Sequence, residues 1–221
     1  MGKKNSLWLQ KHRKDHYFKL AKERGYRSRS AFKLLQISRN CGLLKQGKKI
    51  VDLGASPGGW IQVARDFVGD DGFILGIDKK PLNPFFRYEN IETLEMDVND
   101  DCIFDTILEK AHGKVDVVIS DLAPSVSGAR SLDNFRQIDL AERALEIAKK
   151  LLKKNGNFLV KVFDSPDSQD FFKKVKRSFK KAKQIKPDAS TRKSSEIFFI
   201  GLNLQPSHNM NQLENEFIKS K

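Results

Sequence analysis

The run Val51-Asp52-Leu53-Gly54-Ala55-Ser56-Pro57-Gly58-Gly59-Trp60 constrains the fold more than any other stretch of this chain. Ile50, Val51 and Leu53 suit a central strand. The run then stops at a turn in which Gly54, Gly58 and Gly59 let the backbone take positive φ or come close to a ligand. Pro57 stiffens the turn, and Trp60 to Phe67 continues with helical spacing. A strand, a glycine turn and a helix N-terminus together form the edge of an open α/β sheet at which nucleotide-like ligands bind.

The turn is neither of the two common phosphate cradles. A dinucleotide fingerprint needs Gly-x-Gly-x-x-Gly, whereas Ala55 and Ser56 follow Gly54 here. No Gly-Lys-Ser/Thr closes it as in a P-loop. Asp52, just before the turn, is unhelpful to a polyanion and better suited to a ligand with a cationic end, such as an amino acid or a sulfonium.

The rest of the chain supplies the sheet. Strands are expected at Lys49 to Leu53, Phe73 to Ile77, Ile91 to Glu95, Val115 to Ser120, Phe158 to Phe163, Ala182 to Ile185 and Glu196 to Leu202. Helices are expected from a Ser28 or Ser30 cap through Ile37, then at Gly59 to Phe67, Ile103 to Ala111, Asn134 to Lys153 and Ser168 to Phe179. The alternation predicts an α/β protein with a mostly parallel seven-stranded sheet, its last strand antiparallel, and helices on both faces. We divide the chain into a basic arm (1–27), one α/β domain (28–205) and a polar tail (206–221). At 221 residues it holds one such domain and not two.

Charge points to a partner. The chain carries 41 Lys and Arg against 28 Asp and Glu, a net charge of +13. Ten of those cations fall between Lys3 and Arg29, interleaved with Trp8, Tyr17, Phe18 and Tyr26. Further clusters are Lys173 to Lys186 and Arg192-Lys193. Cations with rings between them suit phosphate contact plus base stacking, which favours nucleic acid over a membrane surface or an acidic protein. No apolar run approaches the roughly 20 residues of a membrane span, and Met1-Gly2-Lys3-Lys4 lacks the apolar segment of a signal peptide. The two cysteines, Cys41 and Cys102, form no metal pair or disulfide framework. The expectation is a cytoplasmic monomer that binds nucleic acid and no metal.

Charged residues cluster at the expected ligand edge. Asp78 ends strand two, about 20 residues past the turn, where a carboxylate can accept both ribose hydroxyls of an adenosine; it can equally start a turn. Asp97 follows strand three, able to receive an adenine amine or to cap a helix. Asp121 ends strand four, and Lys161 interrupts the otherwise apolar Leu159 to Phe163; lysine is rarely buried without a partner or a task. Lys33 reads locally as a snorkelling surface lysine, and Glu196 as an edge charge.

Taken together, the turn, Tyr26-Arg27-Ser28-Arg29-Ser30-Ala31-Phe32-Lys33, Ser120-Asp121-Leu122-Ala123-Pro124, Val160-Lys161-Val162-Phe163 and Ser194-Ser195-Glu196 resemble the FtsJ-type ribosomal RNA 2′-O-methyltransferases. The likeness covers about residues 10 to 203, with small departures at Ser56 and Leu122. It implies a Rossmann-like S-adenosylmethionine-dependent fold. It implies Lys33, Asp121, Lys161 and Glu196 as a catalytic tetrad. It implies Gly58, Trp60, Asp78, Asp97 and Asp121 as cofactor contacts, beside the turn residues Gly54 and Pro57. The implied reaction is 2′-O-methylation of a uridine in large-subunit (23S-type) ribosomal RNA. Methylation of a tRNA anticodon loop is the alternative, and a non-catalytic RNA-binding or ribosome-assembly protein on the same fold is the alternative from another class.

Overall fold

The computed structural model describes residues 16–191 and 194–206. Of the expected basic arm, residues 1–15 lie outside the described residues, as do Arg192, Lys193 and 207–221 of the expected tail. Residues 16–23 are helical. Helices α1 (Ala31–Cys41), α2 (Gly59–Val68), α3 (Ile103–Lys110), α4 (Arg130–Leu151) and α5 (Pro166–Ser178) follow. The strands are β1 (Lys49–Leu53), β2 (Phe73–Asp78), β3 (Ile91–Glu95), β4 (Val115–Ser120), β5 (Leu152–Phe163), β6 (Phe179–Ile185) and β7 (Glu196–Leu204).

All seven strands form one sheet in the order β3-β2-β1-β4-β5-β7-β6. The first five in that order are parallel, while β7 runs antiparallel to both β5 and β6. The chain leaves β1 in one direction and returns on its other side at β4. That switch point opens a crevice at the carboxyl ends of β1 and β4.

Each face has its own core. Val51, Leu53, Leu75, Val118 and Val160 pack with α3, α4 and α5 on one side. Ile50, Ile74, Val117, Ile119, Leu159 and Phe198 pack with α1 and α2 on the other, together with Ala21 of the 16–23 helix. β1 is paired on both edges, so its apolar run has no solvent face. Helix ends follow local chemistry. Gly42 takes the left-handed conformation after α1 and donates to Ser38 O at 2.9 Å. Ser165 and Ser168 form a reciprocal capping box on α5, with Pro166 at the first helical position.

Two expectations are corrected here. Ser30 precedes α1 but makes no capping bond; its hydroxyl pairs with that of Ser28 at 2.7 Å instead. α4 starts four residues before Asn134, because buried Asp133 accepts from Ser127 N, Ser127 Oγ and Gly128 N and so anchors its first turn to the preceding loop.

Candidate active site

Four charged side chains from four elements meet at the carboxyl edge of the sheet. Asp121 follows β4, and Lys161 lies near the end of β5. Because β7 is antiparallel, its first residue, Glu196, pairs with Phe163 at the end of β5 and so reaches the same edge. Lys33 arrives from the first turn of α1. They form two ion pairs. Lys33 Nζ donates to Glu196 Oε2 at 2.6 Å, and Lys161 Nζ lies 3.0 Å from Asp121 Oδ1 while donating to Asp121 O at 2.7 Å.

Both lysines are buried, at 6% and 5% exposure for Lys33 and Lys161. Lys33 is therefore no snorkelling lysine, and Glu196 is no edge charge, since β7 is flanked on both sides. Burial pushes the Glu196 carboxyl up, but the charge and hydrogen bond of Lys33 and the charge of Lys161 outweigh it, holding the group below the usual carboxylate range.

A cavity of about 800 Å³ adjoins this cluster. Its walls include Gly54, Pro57, Asp78, Met96, Asp121 and Leu122. Asp78 takes hydrogen bonds from Ser56 N and Lys80 N, both at 2.9 Å, so it begins a turn and also braces the glycine turn. Asp97 caps no described helix. It accepts from Asn99 N and pairs with Lys79 at 2.6 Å. Gly58, Trp60 and Asp97 are not cavity walls. The Trp60 ring is buried beside Phe198, and its Nε1 donates to Ser30 O at 3.0 Å. Gly58, at φ 106°, leaves space for the Phe85 ring and the Arg27 guanidinium.

Beneath the turn lies Asp52, fully buried, with neither carboxylate oxygen hydrogen-bonded. Burial, then the charges of Asp121 and Asp78, push its carboxyl well above the usual range. A raised folded-state pKa stabilises the fold fully below the unfolded pKa and loses that contribution as pH rises toward the folded one. Asp52→Asn removes that loss. We expect its urea midpoint to exceed the wild type by a margin that widens from pH 5 to pH 8; equal midpoints at both would show that Asp52 finds a partner.

The chain matches the model of the FtsJ-like methyltransferase family over residues 26–204. It belongs to that family. The ribosomal RNA large subunit methyltransferase E of Methanocaldococcus jannaschii is 43% identical over 203 residues, spanning 90% of this chain and 82% of that protein. The protein of the same name from Methanothermobacter thermautotrophicus is 40% identical, spanning 91% and 93%. Among solved structures, a Plasmodium falciparum chain named as a ribosomal RNA methyltransferase matches with a TM-score of 0.71 at 24% identity, over 81% of this chain and 98% of that one. Aeropyrum pernix fibrillarin, solved with natively bound S-adenosyl-L-methionine, matches with a TM-score of 0.55 at 18% identity, over 80% of this chain and 75% of that one. Those two likenesses are of fold, and they identify the sheet as the Rossmann-like methyltransferase type.

In this FtsJ-like methyltransferase, two supporting residues have roles that the motifs do not assign. Arg27 donates through Nη1 to Pro57 O at 3.3 Å and Asn83 O at 2.6 Å, and through Nη2 to Pro84 O at 2.8 Å. With Phe85 stacked 3.7 Å from its guanidinium carbon, it clamps the glycine turn to the loop after β2. Gln137, 1% exposed, donates to Leu122 O at 3.2 Å and Lys161 O at 3.0 Å, tying the loop after β4 to β5. Its signal was in the sequence. It continues the buried stripe of Ala141, Ala144 and Ala148 one helical step toward the N-terminus, and a polar residue there needs partners.

Proposed function

We propose that this methyltransferase uses S-adenosylmethionine to methylate a ribose 2′-hydroxyl of large-subunit ribosomal RNA, at a uridine. The observation that carries the reading is the pairing of Lys33 with Glu196 and Lys161 with Asp121 at one sheet edge, where Asp121 also lines the cavity. The names of its relatives supply the RNA.

The residues fit the cofactor. The cavity volume is in the range of small-molecule sites. The orphaned Asp52 carboxylate lies beneath the turn and outside the cavity wall, so its charge would favour a cationic amino-acid end bound above it without touching it. Asp78 has lone pairs left for ribose hydroxyls despite its two backbone bonds, and Asp97 would take the adenine amine. Gly54 and Pro57 line the cavity, but the Gly54 amide is spent on Ile77 O and the Pro57 carbonyl accepts from Arg27, so they contribute shape more than hydrogen bonds. The Gly58 amide is spent on Ala55 O, so that residue contributes shape. Trp60 would act through its backbone N–H in the open first turn of α2.

When bound, S-adenosylmethionine supplies a methyl group already activated on sulfur, so the chain's task is alignment and charge. An ammonium has three donors. One of Lys161's is given to Asp121 O while the Asp121 carboxylate holds the head as an ion pair, leaving a donor for the 2′-oxygen. There it would stabilise the negative charge as the oxygen bonds the methyl carbon, the methyl–sulfur bond breaks and the hydroxyl proton passes to solvent. Asp121 holds that lysine and faces the cofactor cavity, so it sets the angle between acceptor and methyl. Lys33 and Glu196 hold the hydroxyl and Lys161 from the opposite side.

The test is labelled methyl transfer from S-adenosylmethionine to unmodified transcripts of large-subunit ribosomal RNA and of tRNA, compared with total deproteinised RNA. We expect label in the ribosomal transcript. Label confined to tRNA would transfer the assignment to the anticodon loop, and no label in any RNA would leave a non-catalytic RNA-binding protein.

A further inference from the structure

A second cavity, of about 560 Å³, lies beside the glycine turn, with Arg27, Pro84 and Phe85 in its wall. It is bounded by residues 24–27, the Gln62–Asp66 side of α2 and residues 84–88. Neither the core nor the tetrad accounts for what projects there. Phe86 is 92% exposed and Tyr88 41% exposed, on a loop whose other ring, Phe85, is committed to Arg27. A large ring left in water has surface to gain from a partner.

The charges around these rings are predominantly positive. Arg24, Arg27, Arg65 and Arg87 line the cavity against a single carboxylate, Asp66, which accepts a hydrogen bond from the Tyr26 hydroxyl at 3.1 Å. Arg65 is tied to Asp70 and lies 4.8 Å from the centre of the Tyr88 ring, which props that ring from one side. Exposed rings interleaved with arginines match single-stranded nucleic acid, where bases stack on aromatic faces and phosphates meet cations. The site is also connected to the chemistry. Arg27 bonds Pro57 O in the wall of the cofactor cavity, and residues 24–30 run from the cleft into α1, whose first turn carries Lys33.

We propose that this cleft is a subsite for a nucleotide flanking the methylated one, its base stacked on Phe86 and Tyr88 and its phosphate held by Arg24 and Arg87. The inference rests on the RNA-methyltransferase reading and adds to it a place where the substrate strand is gripped outside the reacting nucleotide. Such a grip binds ground state and transition state equally, so it acts on KM and not on kcat.

The experiment uses full-length protein, the unmodified large-subunit ribosomal RNA transcript for kinetics, and a short fluorescein-labelled single-stranded RNA for binding. Phe86 belongs to neither core, so Phe86→Ala leaves the packing of the fold untouched. It should raise KM roughly tenfold, the usual effect of removing one base stack, with kcat, cofactor affinity and salt dependence unchanged. The double variant Arg24→Gln/Arg87→Gln should flatten the plot of log affinity against log salt by about 0.7 for each phosphate no longer neutralised. Wild-type KM and wild-type salt slope in both variants, with methylation intact, would overturn the subsite and leave the cleft to a protein partner. A wild-type protein that methylates none of the RNAs would instead overturn the function on which the subsite depends.

Discussion

Lys161→Ala should abolish most methyl transfer, by roughly 10²- to 10³-fold in kcat, the usual consequence of deleting a donor aimed at developing charge. Cofactor affinity should stay near the wild-type value, because Lys161 is not part of the cofactor cavity wall. The fold should survive. Asp121, which loses its cation, has a side chain 19% exposed and can recover some solvation, so the full penalty of a broken buried pair does not apply. Lys161→Arg should not rescue, since a longer, planar guanidinium cannot place one donor at the oxygen while another stays on Asp121 O. Turnover within a few-fold of wild type for Lys161→Ala, with binding and melting unchanged, would remove the residue from the chemistry.

Gly54→Ala should cost both stability and methyl transfer. Gly54 has φ 79°, and a Cβ there would stand 2.9 Å from Leu122 N and 3.0 Å from Leu122 Cα, both backbone atoms that cannot swing aside. Left-handed backbone costs a side chain about 1–2 kcal/mol, and overpacking adds about 1–3 kcal/mol. For a chain of this size the sum corresponds to a fall in Tm of roughly 5–15 °C. It should also impair transfer, because the segment pushed away is the one that presents Asp121 to Lys161. Gly58→Ala makes a useful contrast, since its added Cβ would meet the Phe85 and Arg27 side chains and not backbone. An unchanged Tm for Gly54→Ala would mean that the turn is looser than its contacts imply.

Much of this framework could be read from the sequence because parallel strands buried on both faces are continuous apolar runs with polar or glycine stops. β1, β3 and β4 begin and end where that pattern places them. β5 does not. It starts at Leu152, six residues before its apolar run, because Lys153 to Gly156 bulge out between the partner pairs Val115–Leu152 and Val117–Asn157, with Asn155 left-handed at φ 61°. The apolar pattern cannot announce a polar bulge.

The site divides along the same line. Asp121 and Lys161 follow or interrupt apolar strands, so local pattern singles them out. Lys33 and Glu196 are 163 residues apart, and each looks ordinary until the antiparallel β7 brings them together. Only resemblance to a family linked them beforehand. Arg27 was visible as a cation and as part of the Tyr26-to-Lys33 segment, with no role of its own. Its role depends on three carbonyls from two loops, which no local spacing encodes.

The central claim is that this edge of the sheet delivers a methyl group to a ribose oxygen. It is tested most directly by digesting labelled ribosomal RNA product to nucleosides and identifying the modified one by mass spectrometry. The wild type should yield 2′-O-methyluridine, and Lys161→Ala should lose it. A base-methylated nucleoside, or 2′-O-methyluridine undiminished in the variant, would contradict the claim.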